Sequence, residues 1–293
     1  MILAASLALT VANVAVSSPG PVSAAAGVLA GRPRTGSAFG GAHAVGALFL
    51  RSNGRLGRHF CTASVVHSPP GNLLLTAAHC MRGLKLKPAG GVVFAPGYHD
   101  GRMPLGLWVV TGEFVTARWA AWHDPNDDFA FLVVRDHRDP VERKTGAERL
   151  ITGTRLPVMV RVIGYQNAAQ APIRCTARAR AFTTGTLRQM KFACGGYTGG
   201  TSGGPFLLHV SARTGAGWII GVIGGYREGG DTPAISYSAR FGVSIAALYR
   251  AAVAADGSPG LSPAPKPTPA PTTSSGTAAS PVPDASPAPS PSP

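Results

Sequence analysis

Residues 197–210 read YTGGTSGGPFLLHV. A single serine, Ser202, stands among Gly199, Gly200, Gly203 and Gly204, and Pro205 and the apolar run 206–210 follow at once. Glycine inside folded structure costs conformational entropy, so such a cluster marks either a flexible linker or unusual backbone geometry. The apolar run excludes a linker. What remains is a tight turn whose backbone N–H groups point at something small and negative. Acyl-transfer chemistry needs that arrangement around a nucleophilic hydroxyl.

Outward from this turn, short apolar or alternating runs fall at 45–50, 60–66, 73–76, 107–111, 129–134, 158–163, 173–182, 187–192, 206–210 and 218–223. Gly, Pro and polar residues separate them, and strands at this spacing predict an all-β barrel or sandwich. Residues 244–256, SIAALYRAAVAAD, have helix-forming composition with Ser244 as the expected N-cap. The polar stretch 135–150, RDHRDPVERKTGAERL, divides the strand-rich region into two similar halves. It reads as the connection between two barrels, with the division near 135–154.

Serine at its free pKa is a poor nucleophile, so Ser202 needs a base, and the base needs an orienting partner. His79, in LLLTAAHC (73–80), is the base candidate, because an apolar strand ending in small residues delivers its imidazole to a strand end. His43, His59, His67, His99, His123, His137 and His209 lack such a setting and read as surface or satisfied histidines. For the acid, HDPNDDFAFLVV (123–134) offers Asp124, Asp127 and Asp128. Asp128 directly precedes an apolar strand, where a buried carboxylate could hold the imidazole tautomer. Asp124 and Asp127 read as turn or capping residues.

The hydrophobic fraction of 45% is ample for a packed core, and the formal net charge of +14 comes mainly from arginines dispersed along the chain. A basic surface suits an anionic wall polymer or acidic substrates. No basic run interleaved with aromatics occurs, so nucleic acid is not an expected partner. The four cysteines form two close pairs, Cys61 with Cys80 and Cys175 with Cys194. Sequential pairing is inferred from proximity, among three possible connectivities. No pair has the short gap that zinc sites favour, so disulfides in an oxidising compartment are expected and no metal.

No charge precedes Arg32, and an apolar stretch at 2–16 leads to small residues at 22–26. Residues 1–26 are therefore read as an export signal that lacks its positive start. Residues 258–293 are rich in Pro, Ala, Ser and Thr with almost no large apolar side chain, the composition of a disordered tail or stalk. A folded domain at 40–257 lies between, preceded by an extension at 27–39.

LTAAHC (75–80), DDFAFL (127–132) and GGTSGGP (199–205), in that order, resemble the chymotrypsin-fold serine proteases. The likeness is to their exported bacterial trypsin-like and glutamyl-endopeptidase-like branch. HFCTASVVHS (59–68) is similar to the strand carrying the disulfide partner of the cysteine beside the catalytic histidine, which implies Cys61–Cys80. The resemblance implies an all-β fold of two six-stranded antiparallel barrels with the site in their cleft and a short C-terminal helix. It further implies His79, Asp128 and Ser202 as a catalytic triad and the N–H groups of Gly200 and Ser202 as an oxyanion hole. A substrate pocket would be built from Gly196, Tyr197, Ile223, Gly224 and Gly225.

Two departures from the family pattern stand out. Thr201 precedes the nucleophile where many animal members carry an aspartate that pairs with a newly cut amine. Any N-terminus between Gly27 and Phe39 is therefore expected to serve. Gly196 and Ile223 occupy the positions where Asp confers basic, and His acidic, specificity. The expectation is a secreted, monomeric serine endopeptidase, extracellular or wall-associated, acting on proteins or peptides without a cofactor. Its rivals are a catalytically silent binding protein of the same fold and an esterase.

Overall fold

β-branched and aromatic side chains favour extended backbone where they pack against cross-strand neighbours, and the apolar runs fold accordingly. The computed structural model describes residues 33–86, 91–135 and 139–256. The expected signal at 1–26 and tail at 258–293 lie outside the described residues. In chain order the strands are β1 (Ser37–Ala38), β2 (Val45–Ser52), β3 (Arg55–Val66), β4 (Leu73–Thr76), β5 (Gly91–Pro96), β6 (Trp108–Phe114) and β7 (Ala130–Arg135). Then follow β8 (Arg149–Leu150), β9 (Val158–Gly164), β10 (Ile173–Thr184), β11 (Leu187–Ala193), β12 (Pro205–Leu208), β13 (Trp218–Val222) and β14 (Ile235–Ala239). The α-helices are α1 (Ala117–Trp122), α2 (Val141–Thr145) and α3 (Val243–Asp256).

Strands β2 to β7 close into a barrel in the order β2-β3-β4-β7-β6-β5. The second sheet runs β14-β11-β10-β9-β12-β13-β8, with β1 paired to β10. It curls until β13 meets β14. There Gly224 N–H donates to the Tyr237 carbonyl at 3.0 Å and Val222 N–H donates to Ser238 Oγ at 3.0 Å. The result is the chymotrypsin-like two-barrel fold. The second barrel exceeds the expected six strands by the two-residue strands β1 and β8.

Period-two alternation explains why several strands read as unbroken apolar runs. On β7, Leu132 and Val134 fill the first barrel, while Phe131 and Val133 face outward into the core between the barrels. Strand β4 divides the same way, with Leu74 inside and Leu73 and Leu75 outside. The shared core continues through Ile163, Leu207 and Ile219 of the second barrel and through Ile245 and Leu248 of α3. Burying each large aliphatic or aromatic side chain contributes about 1.5–3 kcal/mol, so the layer between the barrels holds them together. Helix α3 begins one residue earlier than expected, and the Gly242 carbonyl accepts its first helical bond from Ala246 N–H at 3.3 Å. Ser244 is not the cap. Its hydroxyl instead donates to Asp127 Oδ1 at 2.9 Å.

Among its described residues, the inter-barrel connection carries one buried acid. Glu148 bridges to Val66, its Oε2 accepts from Gly217 N–H at 2.5 Å, and its Oε1 has no partner among the described residues. Burial raises its carboxyl pKa from 4.5 to about 8. The folded state therefore holds a proton that the unfolded chain releases above pH 4.5, so stability falls as pH rises from there to about 8. Glu148→Gln keeps an acceptor for Gly217 and removes this titration. Its melting temperature, relative to wild type, should rise by about 2 °C or more between about pH 5 and about pH 9. Calorimetry at both pH values checks this, and a difference that stays flat across the range would contradict the buried-acid assignment.

Candidate active site

His79 lies in the 3-10 turn Ala78–Met81 that follows β4, and Cys80 in the same turn is joined to Cys61 of β3 by a disulfide with a Cα–Cα distance of 6.2 Å. Ala78 packs against Trp119 of α1 and Ala130 of β7. The turn is thus held on both sides. Asp128 has no exposed surface and sits one residue past the 3-10 turn Pro125–Asp127, whose N-cap Asp124 accepts from Asn126 N–H at 2.9 Å. Asp128 Oδ2 accepts from His79 Nδ1 at 2.8 Å and from Gly225 N–H at 2.7 Å, while Oδ1 accepts from His79 N–H at 2.9 Å. A carboxylate can only accept, so Nδ1 carries a proton, and in the neutral imidazole the lone pair is on Nε2.

The other two aspartates of that segment do different work. Asp124 caps. Asp127 is buried and accepts from Thr116 Oγ1 and Ser244 Oγ, both at 2.9 Å, tying α3 to the first barrel.

Ser202 is partly buried in a turn that the first barrel grips through Thr62 of β3. Thr62 N–H donates to the Ser202 carbonyl at 2.8 Å, and Thr62 Oγ1 donates to the Gly200 carbonyl at 3.0 Å. The Thr62 carbonyl accepts from Thr76 Oγ1 at 2.7 Å, at the end of the strand leading into the His79 turn. One residue therefore couples the serine turn to the histidine turn. Sequence reasoning missed Thr62, although its place beside Cys61 was a clue. It also missed Asn167, whose N–H donates to the Gly199 carbonyl at 2.8 Å.

The glycines on either side of Ser202 are sterically required. Gly200 has φ +94°, and a Cβ there would lie 2.1 Å from Asn167 Oδ1 and 2.6 Å from the Tyr165 carbonyl. Gly203 has φ +80°, and its Cβ would lie 2.1 Å from the Thr62 carbonyl. Neither Gly200 N–H nor Ser202 N–H donates a hydrogen bond among the described residues. Two backbone donors thus flank the serine unspent. Thr201 is buried, and its hydroxyl donates to the Thr198 carbonyl at 2.7 Å.

The residues expected to form a pocket occupy the second-barrel wall. Tyr197 is buried with its hydroxyl on the Val162 carbonyl at 2.8 Å, and Gln166 Nε2 holds the Gly196 carbonyl at 2.7 Å. Ile223 is tied to the serine turn, since Gly203 N–H donates to the Ile223 carbonyl and Ile223 N–H to the Gly204 carbonyl, both at 2.8 Å. Gly224 and Gly225 are buried, and a Cβ on Gly224 would lie 3.0 Å from Asp128 Oδ2. A second disulfide, Cys175–Cys194 with a Cα–Cα distance of 6.6 Å, fastens the segment leading to Gly196 onto β10. Cys61, Cys80 and His79 present ligand-type atoms within 4.8 Å of one another, but the two sulfurs are bonded together and supply no thiolate to a metal.

The N-terminal residues differ from a free extension. Gly36 N–H donates to the Gly195 carbonyl at 2.8 Å, Gly195 N–H donates to the Arg34 carbonyl at 2.7 Å, and Ser37 and Ala38 pair with β10. Residues 34–38 therefore brace the turn that carries Gly196, and a start at Phe39 would remove that brace. Deleting the chain through Ala38 should speed amide hydrogen exchange of the segment 194–197 by about tenfold or more, whereas deletion through Gly31 should leave it unchanged. Equal protection in both truncated proteins would show that the brace is idle.

No protein-family profile and no curated protein sequence matches the chain. Solved structures do. The protease Anisep from Arthrobacter nicotinovorans is 22% identical with a TM-score of 0.61, over 75% of this chain and 100% of that one. A thermostable serine protease, AL20, from an extremophilic microorganism is 25% identical with a TM-score of 0.61, over 73% and 98%. A Glu endopeptidase in complex with MPD is 15% identical with a TM-score of 0.55, over 75% and 97%. By its barrels and by these likenesses, the chain has the fold of the chymotrypsin-like serine proteases.

Proposed function

We propose that the protein is an exported serine endopeptidase in which Ser202, His79 and Asp128 hydrolyse peptide bonds through an acyl-enzyme. The observation that carries this is the His79 imidazole held through Nδ1 by the buried Asp128 carboxylate, which leaves Nε2 to act as the base. The Ser202 hydroxyl adds to the scissile carbonyl as its proton passes to His79 Nε2. Asp128 keeps the proton on Nδ1 and stabilises the imidazolium that forms. The carbonyl oxygen becomes an oxyanion that the N–H groups of Gly200 and Ser202 receive, and each such donor contributes about 3 kcal/mol to the transition state. His79 then returns its proton to the leaving amine. Water, activated by the same base, releases the acid product and restores Ser202.

Thr201 makes no ion pair among the described residues and is satisfied by Thr198, which supports a serine turn ordered without a newly cut amine. The two disulfides accord with function outside the cytoplasm. Among the five candidate pocket residues none carries a charge, so the pocket is read as taking a neutral side chain.

Ser202→Ala should fold normally and lose nearly all peptidase activity and all labelling by a serine-directed phosphonate. Retained turnover would refute the mechanism, and failure of the wild type to take the label would favour the silent binding protein. Asp128→Asn should lower turnover on the order of 10⁴-fold by reversing the tautomer. Asp127→Asn should lower the melting temperature and leave the turnover of folded protein within about threefold, because among the described residues the Asp127 carboxylate bonds Thr116 and Ser244 and no member of the proposed triad. In a peptide library, cleavage should follow neutral residues; strict selection of Lys, Arg, Asp or Glu would overturn the pocket assignment.

A further inference from the structure

Between Glu148 and Glu228 the chain contains no Asp or Glu and ten Lys or Arg. That stretch supplies β9 to β13, so most of the second barrel carries positive charge with no carboxylate of its own. Along the sequence these cations look dispersed, but the sheet aligns them. From Ile173 to Arg180, β10 alternates buried and exposed residues, and Arg174, Thr176, Arg178 and Arg180 are on the exposed side. The register widens the patch: Thr176 faces Arg161 on β9, Arg178 faces Met159, and Arg180 faces Lys191 on β11. Arg34 reaches the same strand through an N–H on the Thr176 carbonyl at 3.4 Å.

Outward residues two apart on a strand are separated by about 7 Å, and adjacent strands by about 4.8 Å. Arg161, Arg178, Arg180 and Lys191 therefore form a diagonal of roughly 15 Å across three strands. Among the described residues none of the cations on this face makes an ion pair. Like charges directly opposite on neighbouring strands, as at Arg180 and Lys191, cost stability. A bound anion would offset that cost.

We infer that this face is a docking surface for a linear anionic polysaccharide. The arginine fork matches carboxylate and sulfate groups, and an open sheet face accepts an extended chain laid across its strands. Nucleic acid fits less well. The residues interleaved with the cations are Thr176 and Met159, which offer no ring for base stacking. The Phe39 ring is already covered by the Arg174 guanidinium at 4.7 Å, and Phe182, Tyr226 and Tyr237 are packed on one another at 4.8–5.2 Å. The surface lies on the sheet apart from His79 and Ser202, and its assignment is independent of the catalytic reading.

The test compares the binding of labelled dextran sulfate and uncharged dextran to the full chain by fluorescence anisotropy across a salt series. Wild type should bind only the sulfated polymer, more weakly as salt rises. Combining Arg161→Ser, Arg178→Ser and Arg180→Ser should weaken binding by about tenfold or more and flatten the salt dependence. Combining Arg58→Ser, Arg213→Ser and Arg250→Ser, exposed arginines elsewhere with the same total charge, should cost less than about threefold. Arg178→Glu alone, in which a carboxylate among cations leaves the fold intact, should weaken binding as the stripe triple does. Equal losses in the two triple variants would reduce the effect to net charge and overturn the proposal. So would binding of uncharged dextran, or tighter binding of an oligodeoxythymidylate of equal charge by more than about tenfold.

Discussion

Removing a carboxylate from water costs several kcal/mol unless donors replace the lost hydration. Asp128 meets that cost with donors from both barrels, two from His79 on the first and one from Gly225 on the second. Each hydrogen bond to a charged acceptor is worth about 1.5–3 kcal/mol, and losing one leaves part of a buried charge unpaired. The same contacts that stabilise the acid therefore fix the imidazole and draw the wall at Gly225 against the histidine turn. Gly224 must be small for this approach, since its absent Cβ would lie 3.0 Å from the carboxylate. Cleft geometry and imidazole orientation depend on one buried charge.

The serine side of the cleft is organised without charge. Thr62 spends its N–H, its hydroxyl and its carbonyl on Ser202, Gly200 and Thr76 respectively, and its hydroxyl also accepts from Tyr165 N–H at 2.9 Å. Every polar group of this buried residue is thereby satisfied, the N–H and hydroxyl across the barrel boundary and the carbonyl within the first barrel. The serine turn gains rigidity from the first barrel although it belongs to the second. Its Gly200 and Ser202 N–H groups have no acceptor among the described residues.

Charge is distributed unequally between the two barrels. Asp128 and Asp127 sit at the end of the first, and the strands β9 to β13 of the second contain no acid. The cationic face on β10 and the disulfide Cys175–Cys194 share a strand, and that bridge leads directly to Gly196. A ligand lying on the sheet face would thus rest on the same strand that anchors the expected pocket.

Local sequence was sufficient where one physical demand dominates. The glycine cluster around Ser202 declared a turn that no side chain could enter, and apolar periodicity located most of the long strands. Strand β14, ISYSA, was illegible because its inward residues are serines. Ser236 and Ser238 are buried, and the Ser238 hydroxyl is satisfied by accepting from Val222 N–H across the barrel seam and donating to the Ala239 carbonyl. Helix α1 is six residues long, too short to signal itself by periodicity, and is set by its Thr116 cap and by Trp119 packed on Ala78. Ser244 read as a helix cap because a local rule predicts it, and Asp127 captured its hydroxyl from another barrel. By itself the sequence determined that there would be a serine turn, a histidine at a strand end and an acid before the next strand. The position directly before that strand also singled out Asp128 among three aspartates, whereas tertiary structure alone decided that Thr62 couples the two turns and that dispersed arginines share one face. Those outcomes depend on strand register and on contacts between residues far apart in the chain, which local composition does not encode.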